Sequence, residues 1–204
     1  MIRLAQIDDL AAIALVESLS WPPGMESNEA VLAARLRAFP AGQLVAEADG
    51  GGIIAYAAAQ RIHAAQLTTQ PLTFDALTDS GRFTHSHDEH GDVYQLIGVA
   101  VMPTERGSGT ARALVDRQIE QARQLPGVHR IVGFTRPARY HRHAELSIEA
   151  YVNLRDARGQ LVDPVLGFHL NAGAKLVQIC PNFRPSDYEA LGYGVLIEYS
   201  LGDD

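Results

Sequence analysis

The sequence has 204 residues, 17 basic and 24 acidic side chains, and a formal net charge of −7, which suits a single domain over residues 1–204 with a substantial core. The acidic balance excludes proteins that depend on neutralising nucleic-acid phosphates or an anionic membrane, and it favours cationic or neutral small-molecule partners. The one cysteine, Cys180, excludes an internal disulfide, and no signal-peptide pattern or bilayer-length apolar run is seen, so we expect a soluble, cytoplasmic protein.

Along the chain, the pattern predicts one strand, two helices, three strands, and then helices alternating with strands. Strands are predicted at residues 2–5, 43–48, 53–62, 93–102, 131–135, 175–180 and 193–201. Helices are predicted from Asp8 to about Leu19, from Ser27 or Asn28 to before Pro40, from Thr110 to about 125, from Ser147 to about Arg155, and from Asp163 to Gly173. The turn DGGG between the second and third strands favours an antiparallel hairpin.

The strongest functional signal is the segment VAVMPTERGSGTARALV, in which a strand, a turn with Gly107 and Gly109, and a helix follow one another. Such a turn lets backbone N–H groups converge on an anion, and the helix N-terminus adds partial positive charge. The glycine spacing and the missing lysine exclude a Walker A loop. A dinucleotide fingerprint is disfavoured because Arg112 stands where a small residue is needed. A plain strand-to-helix turn is the alternative without a ligand.

The spacing of Arg106, Gly109 and Ala111 resembles the Arg/Gln-x-x-Gly-x-Gly/Ala pyrophosphate loop of the GNAT N-acetyltransferases, and VAVMP resembles that family's Val-x-Pro strand end. The resemblance covers nearly the whole chain. It implies the GNAT fold, an α/β fold whose mixed, mostly antiparallel central sheet is flanked by helices. It also implies acetyl-CoA as cosubstrate, a small amine as acceptor and a homodimer. The segments ELSIEAYV, DPVLGFHLNAGAKL and PNFRPSDYEALGYGVLIEY are similar to acetyltransferase-like domains fused to nitrilase-type hydrolases.

By this resemblance, the coenzyme is bound by the loop and by the strand before it. The implied residues are Val99, Val101, Arg106, Gly107, Ser108, Gly109, Thr110 and Ala111. Family members splay the fourth and fifth strands apart after a bulge, which frees backbone N–H groups for the acetyl carbonyl and the pantetheine arm. Gly98 is the expected bulge residue.

The acid and base of the family are not matched in a simple way. The strand VYQLIGVAVM lacks the glutamate that many relatives use as base, and Gln95 cannot replace it. His169, in GFHLNAG, occupies the position of the family's tyrosine and is the candidate proton or hydrogen-bond donor to the sulfur. The alternative is that His169 is a half-buried histidine that only forms a hydrogen bond within the fold. Tyr140 and His141 are further candidates, and the arginines of TRPARYHRH could contact the adenosine 3′-phosphate.

The segment THSHDEHGD, residues 84–92, crowds three histidines and three acids into nine residues. A metal site built on His85, His87 and His90 is one interpretation, but a solvated loop is preferred and no metal ligand is predicted. Glu89 or His90 is a candidate for the base that the strand lacks. The function predicted is acetyl-CoA-dependent N-acetylation of a small amine. Its rivals are a non-catalytic CoA-binding or interaction module and a metal-dependent hydrolase.

Overall fold

The computed structural model describes residues 1–202, which form one seven-stranded sheet with helices on both faces. The strands are β1 (Ile2–Leu4), β2 (Gln43–Glu47), β3 (Ile53–Ile62), β4 (Val93–Val101), β5 (Arg130–Thr135), β6 (Ala174–Cys180) and β7 (Gly194–Tyr199). The helices are α1 (Leu10–Ser20), α2 (Glu29–Ala38), α3 (Phe74–Thr78), α4 (Thr110–Gln124), α5 (Ile148–Tyr151) and α6 (Pro164–Asn171). The strand order is β1-β2-β3-β4-β5-β7-β6, and only the β4–β5 pair is parallel.

The alternating side chains of β3 explain why the sheet is covered on both faces. Tyr56 and Ala58 pack with Ile13 of α1 in one buried cluster. Ala57, between them in sequence, packs with Leu114 of α4 in another. Because successive residues of a strand point to opposite faces, this run of small residues lets helices approach the sheet closely from both sides.

The mixed, mostly antiparallel α/β architecture expected from the sequence is confirmed, and so is the β2–β3 hairpin. The helix expected to reach Arg155 is shorter, because α5 stops at Tyr151 and Arg155 turns to form a bridge with Leu161. A short helix in the polar segment, α3, was not predicted; Thr73 caps it by accepting from the Ala76 N–H. Within residues 1–202, no helix combines the length and apolarity needed to cross a bilayer.

Candidate functional site

The site lies where β4 and β5 separate. The two strands pair only from Val93 to Leu96 on the β4 side, and the pairing of β4 with β3 slips by one residue at Ile97. The unpaired residue is Ile97, next to Gly98, which was the expected bulge residue. Beyond it, β4 continues along β3 but leaves β5, so its backbone groups on that side have no strand partner. The gap opens a cleft through the middle of the sheet.

A cavity of about 760 Å³ fills this cleft, a volume typical of small-molecule sites. Of the residues singled out from the sequence, those that line it are Gly98, Val99, Val101, Arg106, Gly107, Ala111, Arg136 and His169. Most other lining residues are apolar, and they come from α6, strands β4, β5 and β7, the segment that follows α1, and the loop between β6 and β7. The chain therefore provides a long, largely apolar channel that begins at the glycine turn.

The glycine turn has a backbone geometry that suits an anion. Gly107 and Gly109 have φ angles of +85° and +89°, a region that favours glycine, and a Cβ at either would meet nothing within 4 Å. Gly109 caps α4, whose first N–H groups have no carbonyl within the helix to bind. Ser108 and Thr110 bring their hydroxyls to 2.8 Å of each other beside these groups. The arrangement suits a phosphate at the cavity mouth.

His169 is held on α6 by a well-formed helix start. Asp163 accepts hydrogen bonds from the N–H groups of Val165 and Leu166, as its predicted capping role requires, and also from the Tyr151 hydroxyl at 2.8 Å. The His169 Nδ1 atom lies 2.6 Å from the Tyr199 hydroxyl. Burial lowers the pKa of His169 to about 4, so the imidazole is neutral at pH 7.

Thr135 also lines the cavity, although the sequence pattern did not single it out. It ends β5, is 4% exposed, and its hydroxyl has no hydrogen-bond partner among residues 1–202. A buried hydroxyl without a partner is unfavourable unless a ligand completes it. The only sequence signal was its place at the end of a buried strand.

Arg184 is the second lining residue that sequence reasoning missed. Its guanidinium lies over the Phe74 ring at 4.5 Å and donates to the Met25 carbonyl at 3.0 Å. Burial lowers the pKa of Arg184, yet a guanidinium stays cationic in proteins. In the described part of the chain no carboxylate forms an ion pair with it, so its charge remains available to a ligand in the cavity.

The cavity provides no carboxylate suited to act as a base. Among residues 1–202, Asp187 is the acidic residue that lines it, and this side chain is already engaged by Arg136, whose Nε lies 2.7 Å from Oδ2. Arg136 also binds Glu189 at 2.8 Å. An ion-paired, buried carboxylate has its lone pairs committed, which leaves the neutral His169 as the titratable group of the interior.

The histidine-rich loop lies away from this cavity. Glu89 and His90 do not line it, and both side chains are 84% exposed. His87 serves the fold instead, since its Nδ1 accepts from the Arg61 N–H and its ring stacks on Phe39. Among residues 1–202, no three His, Cys, Asp or Glu side chains are grouped in a way that could hold a metal ion.

Two candidates beyond β5 also lie outside the cavity lining. The Tyr140 hydroxyl donates to the Leu146 carbonyl, and the His141 Nδ1 lies 3.0 Å from the Glu189 carbonyl. Both side chains therefore have partners in the surrounding loops. Of the residues considered as acid or base, the structure brings only His169 to the cavity.

Comparisons with known proteins relate the chain to one family. The model of the acetyltransferase (GNAT) family matches residues 10–146. YhcX of Bacillus subtilis, a probable hydrolase, is 32% identical over 183 residues, which are 89% of this chain but 35% of YhcX. The chain thus spans about a third of that relative. YkwB of the same organism, an uncharacterised N-acetyltransferase, is 29% identical over 92% of this chain and 82% of its own length.

A solved structure resembles nearly the whole chain. It is the GNAT-like decarboxylase GphF in complex with isobutyryl-CoA, with 31% identity and a TM-score of 0.85 over 99% of this chain and 100% of that one. Such a similarity extends to the arrangement of strands and helices around the cleft.

Proposed function

The chain belongs to the acetyltransferase (GNAT) family, and from that premise we propose that it binds an acyl-CoA and decarboxylates a carboxyacyl group carried on the thioester. The observation that carries this proposal is Arg184, which lines a largely apolar cavity and forms no ion pair with a carboxylate among residues 1–202. A plain acetyl group has no negative charge with which a guanidinium could form an ion pair. A carboxylate on the acyl group does.

The coenzyme would be held by the glycine turn and by the exposed edge of β4. The pyrophosphate fits the N–H groups around Gly107 and Gly109 at the start of α4. The pantetheine arm would follow β4 beyond its bulge, along Val99 and Val101, where the strand has left β5. The acyl group would then reach Thr135, His169 and Arg184, which line the same cavity.

Decarboxylation needs no general base, which suits a cavity whose carboxylate is ion-paired. The bond between the α-carbon and the carboxylate breaks, CO₂ leaves, and the electron pair moves into the thioester to form an enolate. The α-carbon then takes a proton from water, which leaves the shortened acyl-CoA. Negative charge thus moves from the carboxylate to the thioester oxygen during the reaction, and donors near that oxygen lower the barrier.

Thr135 and His169 are the candidate donors to the thioester oxygen. The Thr135 hydroxyl is buried and has no partner in the described part of the chain. His169 is neutral, so it can donate a hydrogen bond without adding a permanent charge. With these roles, Arg184 binds and orients the carboxylate. The apolar lining keeps bulk water from solvating that carboxylate.

The similarity to GphF, a GNAT-like decarboxylase in complex with isobutyryl-CoA, supports the same reaction class. The name of YhcX supplies no support for the present site, because this chain spans only 35% of that protein.

Transfer of an acetyl group from acetyl-CoA to a small amine is the second candidate. The match to the family model and the similarity to the uncharacterised N-acetyltransferase YkwB favour acetyl transfer. The separated strands suit a bound thioester in either reaction. Among residues 1–202, no carboxylate without an ion-pair partner lines the cavity, and this disfavours transfer because a protonated amine must lose a proton before it attacks.

One assay separates these functions. The protein is incubated with malonyl-CoA, methylmalonyl-CoA and acetyl-CoA, each with and without a panel of amines, and the thioesters and free thiol are quantified by mass spectrometry. We expect malonyl-CoA or methylmalonyl-CoA to become the shorter acyl-CoA without release of thiol. Amine-dependent thiol release from acetyl-CoA would support the transferase instead. Tight CoA binding with no turnover of any thioester would indicate a binding module and refute both enzymes.

Substitution of Arg184 directly tests its proposed role in binding the carboxylate. Arg184→Gln removes the charge and should lower kcat/KM for the carboxyacyl thioester by roughly 10- to 100-fold, the usual effect of losing a charged hydrogen bond. Binding of CoA itself should change little, since its phosphates lie at the other end. Arg117→Gln, which breaks an exposed ion pair with Glu120 on α4, is the matched control. Equal kcat/KM values for the two variants would contradict the role of Arg184.

A further inference from the structure

Tyr199 and His169 form an isolated hydrogen-bonded pair at the inner wall of the cavity. Tyr199 ends β7 and is 4% exposed. Its hydroxyl lies 2.6 Å from Nδ1 of His169, and within residues 1–202 that nitrogen is its only hydrogen-bond partner. His169 lines the cavity, whereas Tyr199 does not. Any influence of Tyr199 on a ligand must therefore pass through the imidazole.

The direction of this hydrogen bond follows from the inventory of donors and acceptors. A neutral imidazole has one N–H and one acceptor nitrogen, and a phenol has one O–H that can also accept. If Nδ1 carried the proton, the buried Tyr199 hydroxyl would accept from it and its own hydrogen would have no acceptor among the described residues. If Tyr199 donates to Nδ1, its hydrogen is satisfied. Unsatisfied buried donors are costly, so the second arrangement is favoured.

Both groups remain in the protonation states that this arrangement needs. Burial lowers the pKa of His169 to about 4, which keeps the imidazole neutral. Burial also raises the pKa of Tyr199, which keeps its hydroxyl protonated. The hydroxyl therefore has a hydrogen to donate at any pH near neutrality.

We propose that Tyr199 is a positioning residue that donates to Nδ1 and thereby holds His169 as the tautomer with its hydrogen on Nε2. No described residue hydrogen-bonds to Nε2, so this N–H is available to the oxygen of a bound thioester. The inference rests on the proposed acyl-CoA function for its consequence, and it specifies how that site obtains a donor fixed before the substrate arrives. A fixed donor needs no reorganisation as charge develops on the oxygen.

The tautomer is tested first in the wild-type protein, without substrate. Labelling with ¹⁵N-histidine and long-range ¹H–¹⁵N correlation at pH 7 distinguishes a protonated from an unprotonated ring nitrogen. We expect the His169 pattern to place the hydrogen on Nε2, and to become mixed in Tyr199→Phe. A hydrogen on Nδ1 in the wild-type protein would overturn the inference, whatever the protein catalyses.

Kinetics provide the second readout. Tyr199→Phe should lower kcat for the turned-over thioester by about tenfold, the effect of one hydrogen bond, and leave KM within about twofold. Tyr94→Phe is the matched control, because it also removes a buried tyrosine hydroxyl. The Tyr94 hydroxyl has no hydrogen-bond partner among residues 1–202, and Tyr94 does not line the cavity. An unchanged kcat in Tyr199→Phe would refute the positioning role. An Nε2–H tautomer in a protein that turns over no thioester would refute the proposed function and leave the tautomer standing.

Discussion

Replacement of His169 by glutamine should make the protein less sensitive to acid. His169 is held neutral because burial lowers its pKa to about 4, whereas an unfolded histidine titrates near 6.5. Between these values the unfolded chain takes up a proton that the folded chain refuses. The resulting stability is fully present above about pH 6.5 and is lost as the pH falls toward 4.

The size of the effect follows from the two pKa values. Each pH unit below 6.5 favours the unfolded state by about 1.4 kcal/mol until the folded histidine also titrates. At pH 5.5 the loss is about 1.4 kcal/mol, and at pH 4.5 it is about 2.5 kcal/mol. These are upper values, because His169 borders a cavity that opens to solvent.

Urea unfolding followed by circular dichroism at pH 7.5, 5.5 and 4.5 provides the measurement for wild type and His169→Gln. All other titrating groups are common to both proteins, so the change in their stability difference isolates His169. Between pH 7.5 and 4.5, the wild type should lose about 1–2.5 kcal/mol more than the variant. Parallel stability curves, within about 0.5 kcal/mol, would show that His169 titrates normally in the folded protein and would refute the reasoning.

Four further substitutions test other parts of the molecule. Asp163→Ala removes the cap of α6 and the partner of the Tyr151 hydroxyl, and should lower the free energy of unfolding by about 2–4 kcal/mol in urea titrations; a loss below 0.5 kcal/mol would contradict it. Gly109→Ala places a side chain at φ +89° and should cost about 1–2 kcal/mol and weaken CoA binding measured by calorimetry. Unchanged CoA affinity would argue against the turn as the phosphate site. Glu89→Ala and His90→Ala change exposed side chains outside the cavity lining, so stability should stay within about 0.5 kcal/mol and turnover should not change. A marked fall in turnover for either variant would show that this loop takes part in the active site.

Much of the site could be located before the structure, because it depends on short-range chemistry. The glycine turn and the capped helix that carries His169 are each visible in a few consecutive residues, whereas the bulge at Gly98 was expected from the family resemblance. The histidine-rich segment shows the limit of the same approach. Its composition suggests metal or base chemistry, but its residues are occupied with the fold or exposed to solvent. Composition alone does not tell which way a loop projects.

The α/β class, the order of the strands and the position of the glycine turn follow from the sequence alone, because neighbouring residues specify strands, caps and turns. Only the tertiary structure decided the chemistry of the cavity. β7 inserts between β5 and β6, and this brings Tyr199 to His169, thirty residues earlier in the chain. Arg184 and Thr135 join them from separate loops and strands. Such groupings arise from strand pairing and core packing between distant segments, and no local pattern encodes them.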